Sequence, residues 1–254
     1  MREYLLANPT VKREEVKNGK AHYLVRIDAS GSPVYRVTRG GTETQKNKAS
    51  GQLIKTDSLY PGGSVGVSIM GTSMVAGVWE PSAAPVDGNG VVTHDLLIGK
   101  ATNQAGQLVS NVPANGNHAS HVTATMVGRD IASRPSARGV AYDANARNWG
   151  AANDLAEMTA FAASGFLISN HSYGDANTQT ENLWKYGAYN AEARDWDMML
   201  RAAPNYLAFV AVGNEQQSSG NNAAKAGCDI MTGPANSKNA MGVGAANADK
   251  TMSD

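Results

Sequence analysis

The chain has 254 residues, balances 22 Lys/Arg against 22 Asp/Glu, and contains 27 glycines, few aromatics and one cysteine. That length gives one sizeable α/β domain with a buried core plus a small extra piece, and excludes a disordered or fibrous chain. The even charge argues against a nucleic-acid or anionic-membrane partner, and a single cysteine rules out a disulfide within the chain and a metal site built on cysteine pairs.

Residues 1–60 carry 11 Lys/Arg and 6 Asp/Glu, and the remainder 11 and 16. A basic N-terminal segment (1–60) therefore precedes an acidic body (61–254). Residues 1–20 read as a charged helical lead-in. His22–Arg39 has two alternating apolar runs around Ser30-Gly31-Ser32-Pro33, a hairpin pattern. Residues 40–60 read as a linker, and Pro61–Gly71 as a glycine-rich approach to a strand. Met74–Trp79 is a short apolar run closed by Glu80-Pro81, hence a buried strand. Asn117–Gly128 has small and apolar residues at helical spacing, and Gly139–Ala146 is strand-like. Asp154–Ser164 is an amphipathic helix that starts near an acid and stops at Gly165. Phe166–Ser169 is a strand, Glu192–Arg201 a helix, and Tyr206–Val212 and Ala240–Ala245 are strands. Short apolar strands alternating with helices imply βαβ units in a doubly wound, mostly parallel sheet with helices on both faces. Cys228 reads as a small buried residue. No apolar run approaches the ~18–20 residues of a membrane span, and MREYLLANPTVKREE has no apolar signal-peptide core.

His118 and His121 stand at i and i+3 in Asn117-His118-Ala119-Ser120-His121-Val122. Two histidines on one helical face can bind a metal, but no Glu lies between them in a zinc-peptidase pattern and no third ligand is evident. The small Ala119 and Ser120 allow close approach of another segment, leaving His118 at an exposed helix start. A general base needs that placement, with one ring nitrogen toward a nucleophile and the other held by a carboxylate.

This stretch resembles the His-Gly-Thr-His-Val motif of the subtilisin-like serine peptidases (subtilases). Four further blocks resemble the family in its order. They are GVWEPS followed by GVVTHDL; Ile168-Ser169-Asn170-His171-Ser172-Tyr173-Gly174; Phe209-Val210-Ala211-Val212-Gly213-Asn214-Glu215; and NSKNAMGVGAAN. The resemblance covers about residues 65–250, and residues 1–60 resemble the tail of a pro-region. It implies a subtilisin-like α/β sheet, incomplete at the C-terminus, and a secreted serine endopeptidase acting on protein or peptide substrates. His118 would be the base and then the acid, and Asn214 the side-chain donor to the oxyanion, unless it is only a strand-end turn residue. Ser172, Tyr173 and Gly174 would pair with an extended peptide by strand addition, unless they are an ordinary strand exit. No cofactor is implied. Calcium sites are common in the family, and no loop here is matched to one.

Two departures stand out. Glu80 occupies the strand end where the family has Asp; a glutamate can orient a histidine, and Asp87 and Asp95 are its rivals. The family's nucleophile lies in a Gly-Thr-Ser-Met-Ala block well after the asparagine, whereas this sequence ends at Met252-Ser253-Asp254. Gly71-Thr72-Ser73-Met74 matches four letters of that block, yet it leads into a strand, so Ser73 reads as a coincidental match. The expectation is a peptidase fragment lacking its nucleophile, with an inactive pseudopeptidase or peptide-binding module as the alternative. A flavodoxin-like or dinucleotide-binding protein shares the alternating pattern but would need a phosphate-binding glycine loop that is not seen.

Overall fold

A computed structural model of the chain describes residues 2–17, 20–27, 30–38, 47–86, 92–107, 113–175, 183–214, 228 and 230–246. In chain order the elements are α1 (Arg2–Ala7), β1 (Glu14–Lys17), β2 (Lys20–Ile27), β3 (Pro33–Thr38), α2 (Asn47–Leu53), β4 (Val75–Glu80), β5 (Ala101–Asn103) and α3 (Pro113–Val127). There follow β6 (Asn145–Gly150), α4 (Asp154–Ala163), β7 (Ile168–His171), β8 (Tyr173–Asp175), α5 (Ala191–Ala202), β9 (Leu207–Ala211) and β10 (Met241–Val243). Two sheets form, in the orders β1-β2-β3-β8 and β10-β9-β7-β4-β6-β5. The first is antiparallel, and β10/β9, β9/β7 and β5/β6 pair in parallel. The fold is α/β, with a parallel six-stranded sheet and helices, as the motif order implied.

The described chain divides into two compact units. One comprises Met1–Gly40, Trp79–Pro81 and Gly150–Asp254, the other Gly41–Val78 and Ser82–Trp149. In the first unit, Gly31 at φ 82° supplies the left-handed turn between β2 and β3. Helix α4 ends in a glycine cap. Gly165 lies at φ 86°, its N–H donates to Ala162 O and that of Phe166 to Phe161 O. The Phe161 and Phe166 rings stack 4.2 Å apart across this turn, the apolar contact that accompanies such caps. Helix α5 starts at Asn190, whose side chain accepts from Ala193 N at 3.0 Å. Trp79, Met158, Phe161, Trp196 and Ala208 are buried among these elements. The second unit has an apolar cluster of Val78, Ala84, Val92, Leu96, Leu97, Ala101, Ala119, Ala124, Val127, Ala144 and Ala146. Small residues dominate it, so α3 can lie close to its neighbours. A Cβ on Gly116 would meet Pro85 Cγ at 2.5 Å.

Several expectations need correction. The lead-in is one short helix followed by β1, a strand paired with β2. Residues 47–59 of the expected linker form α2 and a 3-10 turn. The strand expected at 139–146 is mostly turn, and β6 begins only at Asn145. There, Val140 N and Ala141 N donate to Thr125 O and Met126 O of α3, so the backbone is satisfied by a helix end instead of a ladder. Cys228 is exposed, not buried. Strands β5 and β8, of three residues each, were not foreseen.

Candidate active site

His118 lies in the second unit. Helix α3 opens at Pro113, a residue suited to the first helical position because its missing N–H would be unpaired there anyway. His118 is therefore a turn further in than expected and half-buried, not at an exposed start. Ala119 and Ser120 are buried beside it, and Thr123 donates to Ala119 O at 2.8 Å and bonds Asn148 Oδ1 at 3.3 Å. His121 is half-buried with Nε2 lacking a hydrogen-bond partner. Burial pushes its pKa down, and the neighbouring His118 pushes it further. Among the described residues, no three or more His, Cys, Asp or Glu side chains are grouped to hold a metal ion.

The carboxylates separate by environment. Asp95 forms a local block, paired with Arg134 at 2.8 Å and 3.3 Å from His94 Nδ1, and also accepts from Leu96 N. Burial raises its pKa, but Arg134, His94 and the Leu96 N–H outweigh that and leave it below the usual value. It is committed to this block. Asp87 lies outside the described residues. Glu80, in the first unit, is among the largest fully buried side chains. A buried carboxylate is what the orienting member of a triad requires. Its neighbour Trp79 stacks on His171 at 5.1 Å and donates to Glu157 at 3.1 Å.

Ser73 is exposed and has φ 64° in a turn closed by Met74 N to Gly71 O at 2.9 Å. Gly71 has φ 89°, and a Cβ there would meet Ala144 Cβ at 2.8 Å. β4 follows directly, so this serine has no helix behind it to aim an N-terminus at developing charge.

Asn214 follows β9 through Gly213 and is exposed. The β9–β10 pairing extends to Val212, whose N–H donates to Val243 O. The segment before β10 is tied to α5 by Asp197, which accepts from Lys238 N, Asn239 N and Tyr189 Oη, each at 2.8 Å. Lys238 Nζ lies 4.2 Å from the Tyr189 ring centroid. Asn214 thus emerges from a register fixed on its own unit.

Ser172, Tyr173 and Gly174 come together at the corner where the chain passes from β7 to β8. Ser172 Oγ accepts from Asn170 Nδ2 at 2.8 Å. Tyr173 and Gly174 pair antiparallel with Thr38 and Val37 of β3. Sequence reasoning missed the inward face of this segment. Ser169, His171 and Tyr173 are buried there, and the Tyr173 hydroxyl reaches Asp154. The period-two alternation of Ser169, His171 and Tyr173 was the available signal.

The subtilase family (Peptidase S8) matches residues 98–254. The chain belongs to the subtilase family. No curated protein matches it. Subtilases are serine peptidases, so the family activity is hydrolysis of peptide bonds. The matched stretch takes in His118, the Ser172–Gly174 corner and Asn214, and leaves Glu80 before its start.

Proposed function

We propose that this subtilase is a serine endopeptidase in which His118 is the general base, Glu80 the carboxylate that orients it and Asn214 the oxyanion donor. The nucleophile is a serine, as in the family. His118 takes the serine proton and returns it to the leaving amine, Glu80 fixes the imidazole tautomer and stabilises its cation, and the Asn214 amide donates to the tetrahedral intermediate. No nucleic acid takes part. The protein acts outside the cell, as subtilases commonly do. Among the described residues, no helix is long and apolar enough to cross a membrane.

The observation that carries the reading is the ladder at β8. Residues 173–175 hold an extended segment of the same chain, residues 36–38, in antiparallel pairing. A peptide substrate is held by the same backbone groups in strand addition. In this arrangement the N-terminal hairpin fills that edge, so substrate access requires its departure. The ladder alone would equally serve a peptide-binding module without hydrolysis, and Glu80 in place of the family's aspartate favours that second reading.

Steady-state hydrolysis of a casein-derived peptide by the full-length gene product decides between them. His118→Ala is expected to reduce kcat by about 10⁴-fold or more, the scale of losing a triad member. Asn214→Ala is expected to cost about 10²–10³, a magnitude set by subtilisin itself. Turnover that survives His118→Ala rejects the assignment. No turnover in the folded full-length product supports the binding module.

A further inference from the structure

The segment that crosses from β7 to β8 has two faces. Asn170 and Ser172, on one, are half-buried and bonded to each other. Ser169, His171 and Tyr173, on the other, are at most 1% exposed. On that buried face a line of hydrogen bonds runs through three side chains to a fourth. Ser169 Oγ meets His171 Nε2 at 2.8 Å, His171 Nδ1 meets the Tyr173 hydroxyl at 3.0 Å, and that hydroxyl donates to Asp154 Oδ2 at 2.8 Å. Asp154 is the first residue of α4, and its other oxygen accepts from Leu155 N at 2.7 Å.

The protons in this line have one arrangement. Tyr173 has a single hydroxyl proton and gives it to Asp154. The phenol oxygen can then only accept from His171, so Nδ1 carries a proton. The imidazole cannot turn out of line. Trp79 stacks on it with rings 11° from parallel, and Trp196 makes a T-shaped contact with it at 4.7 Å. The relay also spans the corner. Ser169 and His171 belong to β7, which pairs with β9, and Tyr173 belongs to β8, which pairs with β3. Asp154 anchors the far end to α4. Apolar side chains of similar size would fill the space while tolerating small rotations. A satisfied polar chain in a low dielectric does not, because each bond fixes a direction.

We propose that Asp154, His171 and Tyr173 are positioning residues that set the angle at which Ser172–Gly174 leaves β7, and so present the backbone of that strand for pairing with an extended peptide. The inference rests on the peptide-pairing role proposed above. The chain's own β3 serves as the built-in probe of that presentation.

The test is amide hydrogen exchange, read by NMR on the full chain, comparing the native protein with Tyr173→Phe and Asp154→Asn. Tyr173→Phe keeps the ring and removes the central hydroxyl. Loss of one buried hydrogen bond shifts a local opening equilibrium by about five- to tenfold. Exchange of the amides of 36–38 and 173–175 is expected to quicken by about that factor, with those of 207–211 changed less than about twofold. No change in the β3–β8 ladder overturns the proposal. An equal rise at β9 also overturns it, since that is what a loss of general packing gives. A second measurement needs no variant. The His171 ring of the native protein is expected to carry a proton on Nδ1, and a ring protonated on Nε2 alone contradicts the relay. Neither readout involves catalysis, so a chain that hydrolyses nothing can still show the relay, and a working peptidase can lack it.

Discussion

At the residue scale, the two histidines of α3 differ in what the fold does to them. His121 has its pKa lowered, first by burial and then by His118. The unfolded chain therefore takes up this proton as pH falls through about 6.5, the ordinary histidine value, while the folded chain still resists it. Stability is flat above that point and declines as pH falls below it, until the depressed folded pKa is reached. One proton gives a slope of at most about 1.4 kcal/mol per pH unit, and less for a ring that still touches water. Urea unfolding at pH 7.5, 6.0 and 5.0 should show this decline, and His121→Gln should flatten it. An unchanged slope in the variant removes His121 as the cause. Ser73→Ala makes the complementary point. The side chain sits in an exposed turn, so the substitution should leave peptidase turnover unchanged, and loss of activity would reinstate it as nucleophile. The motif letters around His118 and Asn214 were readable because they are local. The relay was not, because Asp154 lies 19 positions from Tyr173 and reads from sequence only as a helix start.

At the element scale, what the sequence disclosed is what local chemistry settles. Helices α4 and α5 and strands β4, β9 and β10 stand within a residue or two of their expected bounds because acid starts, glycine stops and apolar runs all act nearby. The cap of α4 gives a measurable consequence. Gly165→Ala would meet no atom within 4 Å, so its cost is purely the left-handed backbone at φ 86°. About 1–2 kcal/mol of unfolding free energy is expected. Asn190→Ala, which removes the side-chain cap of α5, should cost about 1 kcal/mol. Equal stability of either variant and the native chain in urea unfolding would contradict the cap assignment. The strand misplaced at 139–146 and the unforeseen β8 share the opposite cause. Residues 139–146 look like a strand, but 139–141 spend their N–H groups on the end of α3 and only 145–146 enter β6. β8 is only three residues long and takes its partner from residues 36–38. No local propensity reports a partner more than a hundred residues away.

At the scale of the whole molecule, several weak blocks in one order disclosed the family, and the subtilase match covers residues 98–254, the stretch that holds His118 and Asn214. Composition added only what it excludes. The α/β class was legible because parallel strands, buried on both faces, read as short apolar runs between helices. The four-stranded antiparallel sheet was half legible, as the β2–β3 hairpin without its outer strands β1 and β8. The most direct test of the central claim, that His118 belongs to a serine peptidase, is covalent labelling of the full-length gene product by a serine-directed phosphonate, followed by mass spectrometry. One phosphonate on a single serine is expected, with labelling lost in His118→Ala. A folded full-length product that takes no label, or one labelled equally well without His118, would contradict it.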